Sequence, residues 1–275
     1  MTTTIEKLPK KTYKITITVE KDAVSDAFEN SLVQLAKNVN LEGFRQGKAP
    51  LNLIKEKIGK KKLEEGVINH LVPLHYSSAL KEHKLNPITN PKVEISQFEE
   101  GKDLIFTTTI VEKPDVILGE YKKAVKDLKS AEKPKASDIL NKIFETVKIE
   151  IPEFLIEEET VNMFSNLINQ TARLGITVED YLKSQNKTVE TLRGEYSKIA
   201  EENLKADLLL NEIANEEKVE VTDSEIEKAI NAAPDEETKK ALSNESQKWY
   251  IKSVLRKDKA IKYLMNLVVV KEEGK

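Results

Sequence analysis

The period of the apolar residues changes partway along this chain, from two to about 3.6, and that change restricts the fold more than any other feature of the sequence. Tyr13, Ile15, Ile17 and Val19 alternate with Lys14, Thr16 and Thr18, the pattern of a half-buried strand. Val93 and Ile95, then Leu104, Phe106, Thr108 and Ile110, alternate on either side of Glu99-Glu100-Gly101-Lys102, which predicts a β-hairpin. Beyond Ala136 the alternation stops. Ile139, Leu140, Ile143, Phe144 and Val147 form one helical stripe, and Phe164, Leu167 and Ile168 belong to a second helix, with Gly175 as its stop. Val189, Leu192, Tyr196, Ile199 and the run on to Ile213 follow a Thr188 cap, in a helix long enough to stand out as an arm. Thr222-Asp223-Ser224-Glu225 has the form of a capping box, and Tyr250, Val254, Ile261, Leu264 and Val268 mark a last helix.

Within the first part, Asp22 offers an N-cap to a helix striped by Val24, Phe28, Leu32, Leu35 and Val39. Pro50 suits the first turn of a short helix carrying Leu51, Ile54 and Ile58 and closed by Gly59. Leu63, Val67, Leu71 and Leu74 continue helically, with Pro73 predicting a kink or a break. The fold class is therefore an α+β N-terminal domain (strand, helices, β-hairpin) followed by an all-α C-terminal domain with long helical arms. The expected boundaries are residues 1–113 for the first domain and 138–275 for the second. Residues 114–137 are expected as a linker, because Lys129-Ser130-Ala131-Glu132-Lys133-Pro134-Lys135 is Lys-rich, Pro-bounded and poor in apolar residues.

Composition narrows the function. The 275 residues suffice for about two domains, and 33% charged residues against nine Gly and nine Pro suit amphipathic helices with solvated outer faces. No cysteine is present, so disulfides and thiolate metal sites are excluded. No basic run followed by an apolar run opens the chain, and no stretch approaches the roughly 20 apolar residues of a membrane span, so a cytoplasmic protein without membrane contact is expected. His70, His75 and His83 are spaced by five and eight and do not place a metal-binding pair on one helix face. No Gly-x-Gly-x-x-Gly, Gly-Lys-Ser/Thr or Gly-x-Ser-x-Gly motif occurs, and no cofactor, metal or catalytic residue is expected.

One segment has a composition that no folding rule explains. Leu41-Glu42-Gly43-Phe44-Arg45-Gln46-Gly47-Lys48-Ala49-Pro50 sets a Phe and two cations in a Gly-x-x-x-Gly frame, the frame of a sharply turning loop. Two readings of Phe44 stand side by side: an aromatic folded back onto the core, and a presented apolar anchor beside Arg45 and Lys48. The surroundings are basic although the net charge of the chain is −3. Residues 36–62 hold eight cations, among them Lys55, Lys57, Lys60, Lys61 and Lys62, against two acids. A solvated helix face explains such a run, and so does a patch that meets phosphates.

Gly43, Phe44, Arg45, Gly47, Lys48 and Pro50 resemble the ribosome-docking signature of trigger factor, the bacterial chaperone that meets nascent chains at the exit tunnel. Gln46 departs from it, standing where many members have a Lys. The segment from Gly175 to Leu182, the long helix after it and the segment from Val219 to Ile226 resemble the family's C-terminal helical domain, in the family's order. The resemblance implies ribosome docking through the loop, with the basic patch supporting it, and a helical domain that shields nascent or unfolded polypeptides without ATP. The implied partners are the large ribosomal subunit near the exit tunnel, through ribosomal protein and ribosomal RNA, and unfolded chains; a self-dimer off the ribosome is left open. Family members usually carry an FKBP-like prolyl isomerase domain, but nothing between Pro114 and Ile151 has the apolar and aromatic content to build its pocket, so no enzyme is expected. The rival readings are a prolyl isomerase of this family and an export chaperone with a related helical domain.

Overall fold

The computed structural model describes residues 1–44, 50–128 and 134–268. They form two compact units, Met1–Lys113 and Pro114–Lys275.

The first unit holds β1 (Thr2–Leu8), β2 (Thr12–Val19), α1 (Lys21–Ala36), α2 (Leu51–Ile58), α3 (Lys60–His83), β3 (Lys92–Gln97) and β4 (Leu104–Val111). The four strands make one antiparallel sheet in the order β1-β2-β4-β3. Alternation decides which face is covered. Ile15, Ile17 and Val19 of β2 and Leu104, Phe106 and Ile110 of β4 turn to one side and pack with Val24 and Phe28 of α1 and Leu63, Val67 and Leu71 of α3. Phe28 stacks on Phe98, just past β3, with ring centroids 5.6 Å apart.

One strand is added here, one N-cap is corrected, and of the kink or break expected at Pro73 the break does not occur. β1 is a strand that the sequence does not announce, since its only large apolar residues are Ile5 and Leu8 and an edge strand has little to bury. The N-cap of α1 is Glu20 and not Asp22, which lies in the first turn. The orphan N–H of Lys21 is met by Asp103 Oδ1 at 2.7 Å, a cap supplied across the fold that no local rule could find. α3 runs unbroken through Pro73. Pro73 and Asn69, whose carbonyl loses its amide partner, both sit on the exposed face, where water can satisfy the freed oxygen. Leu74 accordingly points outward, and the buried stripe passes to Ala79, with Val72, Tyr76 and Leu80 packed beside it.

The second unit holds β5 (Val116–Ile117), α4 (Tyr121–Lys126), α5 (Ala136–Phe144), β6 (Lys148–Ile149), α6 (Glu153–Arg173), α7 (Val178–Ser184), α8 (Val189–Glu216), α9 (Asp223–Asn231), α10 (Glu236–Leu242) and α11 (Glu245–Leu267). Among the described residues its two short strands pair with each other and everything else regular is helical. α8 and α11 each serve two cores. The C-terminal halves of both pack with Tyr121, Val125, Ile139 and Ile143. The start of α8 packs with α6 and α7 through Leu167, Leu182 and Leu192, and the start of α11 packs with α9 and α10 through Ile226, Ile230, Ile251 and Leu255.

The described parts of the expected linker, residues 114–128 and 134–137, are built into this unit, the latter running into α5 at Ala136. Tyr121 and Val125 are buried among α5, α8 and α11, and the Tyr121 hydroxyl donates to Glu217 Oε1 at 2.7 Å. Two well-spaced apolar residues on one helical turn are enough to anchor a segment whose overall composition is that of a tether. The caps follow their local chemistry. Thr188 Oγ1 accepts from the Thr191 N–H, Thr222 and Glu225 close a capping box, and α6 stops before Gly175 with the Ile176 N–H bonded back to the Thr171 carbonyl at 3.1 Å.

Candidate functional site

The loop that follows α1 begins with a turn. The Phe44 N–H donates to the Leu41 carbonyl at 3.1 Å, and Gly43 has φ of +85°, a conformation that costs a side-chain-bearing residue dearly. Phe44 is 43% exposed and belongs to none of the core clusters among the described residues, so its ring is half-exposed and not buried in the core. Arg45, Gly47 and Lys48, together with Gln46, lie outside the described residues. On the far side Pro50 occupies the N-cap position of α2, one residue before the first helical position expected for it. Its carbonyl accepts from the N–H groups of Leu53 and Ile54 at 3.1 and 3.2 Å. Ile54 is buried and fixes α2 to the unit, while Leu51 and Leu53 are exposed. Gly59, φ +80°, ends α2 and opens α3 in one residue, which sets Lys55 and Lys57 beside Lys60, Lys61 and Lys62.

These lysines differ in what they touch. Lys55 Nζ lies 2.9 Å from both oxygens of Glu100, and Lys60 Nζ lies 3.7 Å from Glu64. Both line a cleft of about 500 Å³ floored by Phe28, Leu63 and Gly59 and rimmed by Glu56, Glu64, Glu99 and Glu100. The Glu99 carboxyl is held below its ordinary value, first by its bond to Lys102 and with a smaller contribution from Lys60. Lys57, Lys61 and Lys62 are exposed, line no part of this cleft and are free of ion pairs among the described residues. Glu99 and Glu100 are the members of this face that sequence reasoning passed over, as turn residues of the hairpin. No signal could have found them, since Lys55 and Glu100 are 45 residues apart.

The helical unit leaves large apolar side chains uncovered. Val161 and Ile168 of α6 are seven residues apart and share a face, Leu174 and Ile176 continue past its end, and Leu174 is 75% exposed. On α11 the stripe marked by Tyr250 and Val254 divides: its C-terminal members Leu264 and Val268 are buried, but Trp249, Tyr250 and Val254 face solvent, with Trp249 72% exposed. Periodicity located this stripe without telling a face that packs from one that does not.

The histidines stay apart from this chemistry. His83 Nε2 lies 2.9 Å from Thr3 Oγ1, and burial pushes the His75 imidazole below its ordinary value. Among the described residues no group of histidines and carboxylates could hold a metal ion, and no helix is long and apolar enough to cross a membrane.

Residues 1–146 match the family model described as bacterial trigger factor protein, and residues 120–266 match that of its C-terminus. The chain is 38% identical over 122 residues to the trigger factor of Natranaerobius thermophilus, covering 44% of this chain and 27% of that protein. It is 29% identical over 195 residues to that of Clostridium botulinum strain Hall, covering 70% of this chain and 40% of that one. These matches span less than half the length of either relative. A solved structure from work on promiscuous substrate recognition in the folding and assembly activities of the trigger factor chaperone superposes with a TM-score of 0.65. It covers 96% of this chain and 99% of that one at 14% identity, a likeness of fold.

Proposed function

The chain belongs to the bacterial trigger factor family, and from that premise we propose that it is an ATP-independent, ribosome-associated chaperone that shields nascent and unfolded polypeptides. The observation that carries the reading is Phe44. A half-exposed aromatic on a positive-φ turn, set in a Gly-x-x-x-Gly frame amid a basic stretch of sequence, supports the reading of a presented contact. Docking would use Gly43, Phe44, Arg45, Gly47, Lys48 and Pro50, with ribosomal protein receiving the ring and ribosomal RNA the cations. The exposed apolar side chains of α6 and α11 would meet the client, and the cytoplasm is where such a protein would act.

We further propose that this chain does not catalyse prolyl isomerisation. The two family matches overlap at residues 120–146, leaving no sequence between them. The apolar residues of that stretch are spent on the helical core, where Tyr121, Ile139 and Ile143 are buried. No observation favours the export-chaperone reading.

The test is cosedimentation with purified ribosomes. Phe44→Ala with Arg45→Ala should abolish it while moving the melting temperature little, because an exposed loop contributes little to the core. Unchanged cosedimentation would overturn the docking assignment. Turnover in a prolyl-peptide assay that survives repurification would overturn the second.

A further inference from the structure

We propose that the five lysines beside the loop are divided by the fold: Lys57, Lys61 and Lys62 take ribosomal RNA phosphates, while Glu100 and Glu64 hold Lys55 and Lys60 back and so set how many phosphates this face neutralises. The inference rests on the docking reading above and names the chemistry of that contact.

A cation can release counterions from RNA only if its charge is free to neutralise a phosphate. Lys55 is not free. Both oxygens of Glu100 lie 2.9 Å from its ammonium in a half-exposed pair that is individually weak, so moving it to a phosphate would exchange one charge-assisted contact for another and leave Glu100 facing the RNA. Lys60 is held more loosely, at 3.7 Å from Glu64, with the cation N-terminal to the acid, the weaker order of an i,i+4 pair. The restraint is therefore graded, closer at Lys55 and slack at Lys60, whose side chain is 80% exposed.

Helix geometry keeps the two sets apart. Positions three apart share a face, so Lys60 lies on the side of α3 that carries the buried Leu63 and borders the cleft. Lys61 and Lys62 fall on the other sides of the helix. Charge adds direction to this. The cleft rim has the four carboxylates of Glu56, Glu64, Glu99 and Glu100 against the ammoniums of Lys55 and Lys60 and that of Lys102, which lies 2.6 Å from Glu99, an excess of one negative charge that disfavours a phosphate approaching from that side. At physiological ionic strength such a field is screened over roughly 8 Å, so it acts on what approaches the cleft itself. RNA would thus be turned away from the cleft and toward Lys57, Lys61 and Lys62.

The experiment is a set of binding titrations of the fluorescently labelled full chain against purified ribosomes, between 50 and 200 mM potassium chloride. For each phosphate lost, the log-log slope should fall by roughly 0.7 to 0.9, a change of about threefold in the affinity lost over that range. Lys57→Gln, Lys61→Gln and Lys62→Gln should each flatten the slope by about this increment. Lys55→Gln should move it far less, and Glu100→Gln, which releases Lys55, should steepen it. Melting curves of each variant exclude a folding effect. The division is overturned if Lys55→Gln flattens the slope as much as Lys57→Gln, or if Glu100→Gln leaves it unchanged. It is equally overturned if wild-type binding is indifferent to salt, which would make this a protein contact. Wild-type chain that fails to bind ribosomes at all would defeat the docking reading itself, an outcome separate from the others.

Discussion

Glu225 Oε2, in the first turn of α9, lies 2.7 Å from the Lys259 ammonium of α11 and accepts the Thr222 N–H at 2.9 Å, so one carboxylate both caps a helix and ties it to another. The Lys259 contact, followed by the backbone bond, lowers its pKa from 4.5 to about 2. A carboxyl depressed on folding contributes stability that is present above its unfolded value and lost as pH falls toward the folded one. Between pH 4.5 and about 2, then, wild type should lose stability more steeply than Glu225→Gln, and the two should differ most at neutral pH. Denaturant melts at several pH values read this directly. Parallel curves would mean that the contact is screened away in solution.

Thr108 offers a test of opposite sign. It is fully buried on β4, and its hydroxyl has no hydrogen-bond partner among the described residues. A buried unpaired hydroxyl costs roughly 1–3 kcal/mol on protein scales. Thr108→Val keeps the shape and the β-branch while removing the oxygen, and should raise stability by about 1 kcal/mol. A fall in the denaturation midpoint would show that the hydroxyl is satisfied after all.

Tyr121 tests whether residues 114–128 belong to the helical core. Burial, and then its bond to Glu217, pushes the phenol above its ordinary value, and Lys122 holds the Glu217 carboxylate 2.5 Å from its own ammonium. Tyr121→Phe should cost about 1–3 kcal/mol, the range for a hydrogen bond to a charged group whose partner stays behind. In a tether the same change would be silent.

What could be read from the sequence follows from how local its causes are. The capping box at Thr222, the Thr188 cap and the stop at Gly175 rest on chemistry within a few residues, and each stands where it was read. The alternation of β2 and β4 likewise carries its own face assignment. The cap on Lys21 comes from Asp103 and the partner of Lys55 is Glu100, both set by the sheet register and invisible to any window of sequence. Edge strand β1 shows little alternation because it buries little. The same limit applies to the candidate site. The loop motif announced Phe44 as a ring to be explained, but only the fold shows it uncovered and only the fold separates the tethered lysines from the open ones.

The uncovered apolar side chains of the helical unit lead to the last prediction. Ile168 and Leu174 are exposed at the end of α6 and belong to none of the core clusters among the described residues, so Ile168→Lys with Leu174→Lys should leave stability within about 0.5 kcal/mol of wild type. If clients are held by apolar burial, the same pair should weaken suppression of aggregation of an unfolded protein, since each lost apolar contact forfeits roughly 25 cal/mol per Å² of surface kept from water. Trp249, the only tryptophan and itself exposed, reports engagement of the α11 face through a blue shift and loss of quenching when a client covers it. Apolar burial is not weakened by moderate salt, whereas phosphate contacts are. Raising potassium chloride from 50 to 200 mM should therefore collapse ribosome binding and leave client protection intact in the same preparation. Equal salt sensitivity of the two activities would place client binding on the charged face of the first unit, and unimpaired protection by the double variant would remove α6 from the client surface.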